Sequence, residues 1–365
     1  MFAQTVVAGQ PMLVTINSFV RRHFVHLISL VALLAFLTPG FSESVRAHKA
    51  LGGDLDASGV SLFLMMLSAA IQCSFGAFRG VVSRPKPLLV CLGQYFIFLP
   101  ISAWLLGQLC VPLLGSSLGE PIQIGLDLVI LMPVAATSAI WVRDTKGDLQ
   151  LLVSLVVITM SVGTLTAPTY LSFMSGLTAN SIVIPRALIL HHLMIGVLLP
   201  LVVGLVLNKL LRSRLKKVQP YFAFGGNIGL FMAVFLNVGT ASPLLRHLTM
   251  RQIFFAVSIV LAVNVANFVV GSIVGRIVGL KRDHQVTCEF SSGMRSNGTA
   301  LVVGLASFPT TPLVTVPAAI YIIFQHLLAS IVKSRLIARF GESEAVPATT
   351  AAPAAQPAAS AARAA

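Results

Sequence analysis

Apolar residues run in long stretches along this chain, separated by short polar links. Neither the strict alternation of a half-buried strand nor the single apolar stripe of a soluble helix is the dominant pattern. Ten such stretches can be drawn, at about 23–37, 58–75, 87–109, 122–140, 149–173, 182–207, 221–238, 252–274, 285–305 and 313–331. Most approach or exceed the roughly 20 residues that an α-helix needs to cross the hydrocarbon of a bilayer. The pattern predicts an all-α polytopic membrane protein with ten transmembrane helices. Residues 1–22 are expected to form an N-terminal cytoplasmic segment, 23–340 the transporter-like helical unit, and 341–365, rich in Ala and Pro, a disordered tail. The first stretch follows Arg21-Arg22-His23-Phe24, which resembles a twin-arginine export signal. With nine further helices to orient, a retained first helix is the simpler reading.

Composition excludes several classes. Of the 365 residues 56% are hydrophobic and only 10% charged, with a mean hydropathy of +0.91, whereas a water-exposed domain carries roughly 25% charge. The net charge of +14 invites a nucleic-acid reading, but the basic residues are scattered through short links between apolar stretches, where they orient helices. With the N-terminus in the cytoplasm, 18 of the 25 Lys and Arg fall at cytoplasmic ends and 5 at outer ends. That asymmetry predicts an inner (plasma) membrane protein with both termini cytoplasmic. Cys73, Cys91, Cys110 and Cys288 form no metal-binding spacing and read as buried thiols. No nucleotide loop, nucleophile triad or metal cluster is visible, so neither an enzyme nor a cofactor protein is expected.

Ten helices divide into two halves of five, and an odd number makes any repeat an inverted one. The helix breakers support such a repeat. The fourth stretch contains Pro133 to Ser138 and the ninth contains Ser291 to Thr299, each about 110 residues from the start of its half. Interrupted helices free backbone groups that hydrocarbon cannot satisfy, so they survive where they are buried in protein or line a cavity. Paired interruptions point to a substrate or ion site near the midplane. Candidate ligands are Ser291, Ser292, Arg295, Ser296, Asn297 and Thr299 at the second interruption, with Thr137 and Ser138 at the first. For Pro133 alone, a simple kink is the competing reading.

At these residues the chain resembles the bile acid:sodium symporter superfamily, over about 22–335. Arg84-Pro85-Lys86-Pro87, Gln94 and the Phe-Ile-Phe-Leu-Pro run at 96–100 are similar to the family's third helix. Pro133 through Gly147 aligns without a gap on its PGG-x-x-SN…GN stretch, and Gly293-Met294 and Pro317-Ala318-Ala319-Ile320-Tyr321 resemble its G-M-Q-N and P-A-A-I-Y elements. The resemblance implies two parts. A core, about 87–173 and 252–331, would hold crossed, broken fourth and ninth helices; a panel, about 23–75 and 182–238, would face it across the substrate cleft. It also implies carriage of organic anions, bile-acid-like carboxylates or sulfonates, usually driven by sodium.

The family's sodium ligands carry over only in part. Gln94 stands at a sodium-binding Gln and Ser138 at the Ser of the SN pair. The following Asn is Ala139, two hydroxyl ligands of the fifth helix are Leu152 and Val156, the carboxylate before Gly-Met aligns with Ser291, and the Gln after Met is Arg295. Losing a carboxylate and gaining a guanidinium changes the site by about two charges, and one unit charge ~4 Å from another is worth about 4 kcal/mol at an effective dielectric of 20. The exchange argues against sodium coupling and predicts that Arg295 replaces sodium as a fixed cation, leaving proton coupling or facilitated exchange, with no cofactor and no metal. Asp127 and Glu289, each six residues ahead of Pro133 or Arg295, are candidates for proton coupling or for an ion pair with Arg295. The expected partners are a small organic anion and the lipid bilayer, not nucleic acid. The alternatives are a sodium-coupled symporter like its relatives and a membrane receptor that binds without translocating. His191, His192 and His326 read as polar packing residues.

Overall fold

The computed structural model describes residues 12–47, 57–73, 85–178, 180–211 and 214–340; residues 1–11, the last two residues of the second stretch and the expected tail at 341–365 lie outside them. The described residues are helical, with no strand beyond one isolated bridge. In chain order the helices are α1 (Met12–Arg22), α2 (Phe24–Leu37), α3 (Pro39–Ala47), α4 (Ala57–Ala70), α5 (Pro85–Leu114), α6 (Ser116–Leu131) and α7 (Ser138–Asp144). They continue with α8 (Leu149–Leu177), α9 (Arg186–Leu211), α10 (Leu215–Leu245), α11 (Met250–Ile277), α12 (Arg282–Gly293), α13 (Asn297–Ser307) and α14 (Val316–Phe340).

Six of these regions are long and apolar enough to cross a membrane, and the bent pair α2–α3 brings the number to seven. The other expected stretches depart from a continuous span for local reasons. After Leu37 the chain turns through 97° at Thr38, where Pro39 opens a new helix because its missing N–H is no loss at a first helical position. Helix α4 has 14 residues. The stretches expected at 122–140 and 285–305 are each two helices joined by extended backbone.

Within α5 and α9 the helix widens into a π turn at Gln94–Phe98 and Met194–Leu198. Each widened turn is followed within two residues by a proline, Pro100 or Pro200, whose ring and missing N–H oppose a regular α turn. Helix α8 begins at Asp148, whose Oδ1 accepts from Gln150 N (2.8 Å) and Leu151 N (3.0 Å). Helix α11 begins with a capping box between Thr249 and Gln252.

The outer surface is apolar. Val265, Val269, Ile273 and Ile277 on α11, and Ile97, Ile101 and Leu105 on α5, are exposed at four-residue spacing, a lipid-facing stripe of the kind water would not tolerate. The interrupted helices are the opposite. From Leu118 to Leu131 every residue of α6 except Glu120 is buried, and so is α13 from Asn297 to Leu305. Helix α10 packs on α2, α3 and α4, and α9 on α4; α11 packs on α5, α12 and α14, while α6 sits among α5, α8 and α14. Helix α13 touches both sets. A Cβ on Gly298 at its start would come within 2.5 Å of Met65 Sδ on α4, so any larger residue there would require the Met65 side chain to move.

Candidate functional site

The two extended links cross. Ala135 N donates to Met294 O (3.1 Å) and Ser296 N to Pro133 O (2.9 Å), an antiparallel bridge between Val134 and Arg295. Val134 N donates to Thr159 Oγ1 on α8 (3.1 Å), and Arg295 N to Gln325 Oε1 on α14 (3.0 Å). Two tyrosines take carbonyls freed at the helix ends: Tyr95 OH donates to Leu131 O (2.7 Å), and Tyr321 OH to Gly293 O (3.1 Å) while accepting from Asn267 Nδ2 (3.1 Å). In this way the broken backbone finds partners without water, as an interruption inside a membrane protein must.

Arg295 lies at the crossing and is 1% exposed. Its Nη2 donates to Ser292 O (3.2 Å), its Cζ sits 4.8 Å from the centroid of the Tyr95 ring, and Nε and Nη1 have no hydrogen-bond partner among the described residues. The partially negative C-terminus of α12 and the face of the aromatic ring are what offset the burial of this charge. Gln94 is drawn into the same network. Its Oε1 accepts from Ser292 Oγ (3.0 Å) and Cys288 Sγ (2.8 Å), and its Nε2 donates to Val270 O (3.2 Å). The oxygen that would face a cation is thus already taken by two donors. The four cysteines are buried and free, and Cys288 is more than an apolar filler because it holds Gln94.

The remaining candidates divide. Asn297 is 1% exposed with both amide atoms unpartnered among the described residues. Ser296 Oγ and Thr299 Oγ1 bond each other (2.8 Å), and Thr299 Oγ1 reaches Met66 Sδ (3.6 Å) on α4. Ser138 Oγ donates to Ala135 O (2.5 Å) and Ser291 Oγ to Cys288 O (3.1 Å), so both serve their own turns. Thr137 is exposed. Leu152 and Val156 are buried apolar side chains on α8 with no oxygen to offer.

Of the two carboxylates considered as ion-pair partners of Arg295, Glu289 pairs instead with Arg335 near the end of α14; its place on α12, which ends at Gly293, turns its side chain toward α14 and not toward the link that carries Arg295. Asp127 on α6 is 1% exposed, and neither of its oxygens has a partner among the described residues. His326 packs against the ring of Phe24 (4.6 Å between centroids) and that of Trp141 (6.3 Å), as a packing residue does. Asp148, Asp283 and His284 bring ligand atoms within 4.8 Å of one another at the start of α8 and α12. That group could hold a metal by distance, but Asp148 already caps α8 and receives His284 Nε2 (3.4 Å).

Residues the sequence reading passed over are Tyr95, Thr159, Gln325 and Arg335. Tyr95 follows Gln94 directly, and Thr159 and Gln325 are polar groups inside apolar runs, which was the available signal. Arg335 lies among the basic residues at the expected cytoplasmic ends of the helices, where charge alone does not single it out.

A sequence model of the Sodium Bile acid symporter family matches residues 59–248. The chain belongs to that family. The matched stretch holds Gln94, Asp127 and the first interruption, and ends before the second. Two relatives come from Bacillus subtilis (strain 168). The uncharacterized protein YbaS is 24% identical over 266 residues, covering 72% of this chain and 83% of its own. The uncharacterized sodium-dependent transporter YocS is 24% identical over 319 residues, covering 86% and 91%. Membership of the sodium bile acid symporter family makes this polytopic membrane protein a transporter of a small molecule and not an enzyme.

Proposed function

We propose that the protein is a secondary active transporter of an organic anion, a bile-acid-like carboxylate or sulfonate, in which Arg295 does the electrostatic work that sodium does in its relatives. The observation that carries this reading is the guanidinium at the crossing, buried, without a carboxylate partner among the described residues, and with two of its nitrogens, Nε and Nη1, unclaimed. A planar cation with free donors suits a carboxylate or sulfonate. A sodium ion would meet the same charge as repulsion, with Gln94 Oε1 committed elsewhere. In this reading ten helices form two inverted repeats in the inner membrane with both termini cytoplasmic. A panel of α2–α4, α9 and α10 rocks against a core built around α6–α7 and α12–α13, which gives alternating access to a site between them.

A second reading, a sodium-coupled symporter, is favoured by the name of YocS and by Gln94 at a sodium-ligand position. Both readings are tested by uptake of radiolabelled taurocholate into proteoliposomes. Wild type is expected to accumulate it without a sodium gradient, and Arg295→Gln to lose at least tenfold. Equal uptake by the variant would remove Arg295 from the site, and uptake that requires sodium would favour the second reading.

A further inference from the structure

One ionisable side chain inside the membrane is left unused by the crossing. Asp127 lies on α6 among residues that are buried on every side, 1% exposed, with no donor to either oxygen among the described residues. One turn earlier on the same face, Gln123 is also 1% exposed and its Nε2 has no partner, while its Cγ stem lies against Gly107 of α5. These are two orphaned polar groups at i and i+4, in the interior of a helix buried from Leu118 to Leu131 except at Glu120.

The titratable groups around Asp127 are few. From α5 come the buried thiol of Cys110 and Tyr95, whose hydroxyl is bonded to Leu131 O. From α8 comes Tyr170, and from α14 Tyr321, whose hydroxyl is bonded to Gly293 O and Asn267. The other charged groups of α14 are engaged elsewhere, Lys333 with Asp144 and Arg335 with Glu289, and His326 is packed between Phe24 and Trp141. Helix α13 and the turn Pro312–Thr315 bring none. On α6 itself Glu120 is bonded to Ser181. A carboxyl group removed from water with neither donor nor counter-ion is carried as the neutral acid.

The neighbouring buried charge is Arg295. One turn beyond Asp127, Leu131 O holds the Tyr95 hydroxyl, and the guanidinium of Arg295 lies over that tyrosine's ring. A helical turn, the Tyr95 hydroxyl and its ring thus link the acid to the cation through protein, where charges are weakly screened. We infer that Asp127 is the proton-binding site of this carrier, and that its proton moves in step with the anion at Arg295. An anion on Arg295 cancels the buried positive charge and leaves Asp127 as the neutral acid. Departure of the anion exposes Asp127 to the guanidinium, which favours release of its proton. One anion then travels with one proton. This rests on Arg295 being the resident cation for the anion.

The proton site is testable without a substrate. Infrared spectra of the protein in lipid nanodiscs should show the carbonyl stretch of a protonated carboxylic acid that Asp127→Asn removes and Asp127→Glu restores at a shifted frequency. As pH is raised the band should be lost, and Arg295→Gln should hold the proton about tenfold more tightly, moving the loss to higher pH. No such band in wild type, or the same titration in wild type and Arg295→Gln, would overturn the proposal. Taurocholate, a sulfonate with no proton to give near neutral pH, separates the two readings. If it restores the band in wild type and not in Arg295→Gln, both stand. If it fails to bind while the titration still depends on Arg295, the organic-anion reading falls and the proton site remains.

Discussion

Glu289 and Asp127 precede the two interruptions by the same six residues, and the protein treats them in opposite ways. Glu289, with a side chain 4% exposed, reaches an arginine whose own side chain is 46% exposed at the end of α14. Asp127 sits deep in α6 and meets no cation at all among the described residues. The difference separates two uses of a carboxylate inside a membrane protein. One is a strut, held by a guanidinium that reaches in from the water side to meet it. The other meets no fixed compensating charge among the described residues, and in the mechanism we propose its charge changes during transport.

That contrast makes unequal demands on substitution. Arg335→Ala should be the most damaging, because it strands a buried carboxylate; a loss of about 3 kcal/mol is expected, read as a lowered unfolding temperature in detergent. Combining it with Glu289→Gln should recover most of that loss, and failure to recover would mean that Arg335 acts through something other than the pair. Thr159→Val comes next. It leaves Val134 N buried without its acceptor, for a cost of about 2 kcal/mol, and would tell whether the first interruption depends on that one hydroxyl. Asp127→Asn should be the mildest, within about 1 kcal/mol of wild type, since it breaks no contact. A large loss of stability there would assign Asp127 to the framework instead.

The interruptions could be read from the chain because Pro133, and the glycines at 293 and 298 set among polar residues, disfavour a continuous helix. Arg295 was equally visible, as a permanent charge inside an expected membrane stretch. The partner of Glu289 was not, because Arg335 lies 46 residues away and only the packing of α12 on α14 brings the two together. The same holds for Tyr95, Thr159 and Gln325, whose roles are defined by backbone groups on other helices. The sharp turn at Thr38 is marked by Pro39 and Gly40, but its angle depends on how α2 and α3 both lie along α10. Local chemistry marks where a helix must stop, and tertiary packing decides what then satisfies the ends.

Whether a fixed guanidinium occupies the place of a sodium ion is tested without any substrate by the unfolding temperature of purified wild type in sodium chloride against potassium chloride at equal concentration. A site filled to 100 times its dissociation constant would add about 2.7 kcal/mol of stability. With Arg295 in place the two salts should give the same unfolding temperature. A rise specific to sodium, growing with its concentration, would contradict that replacement.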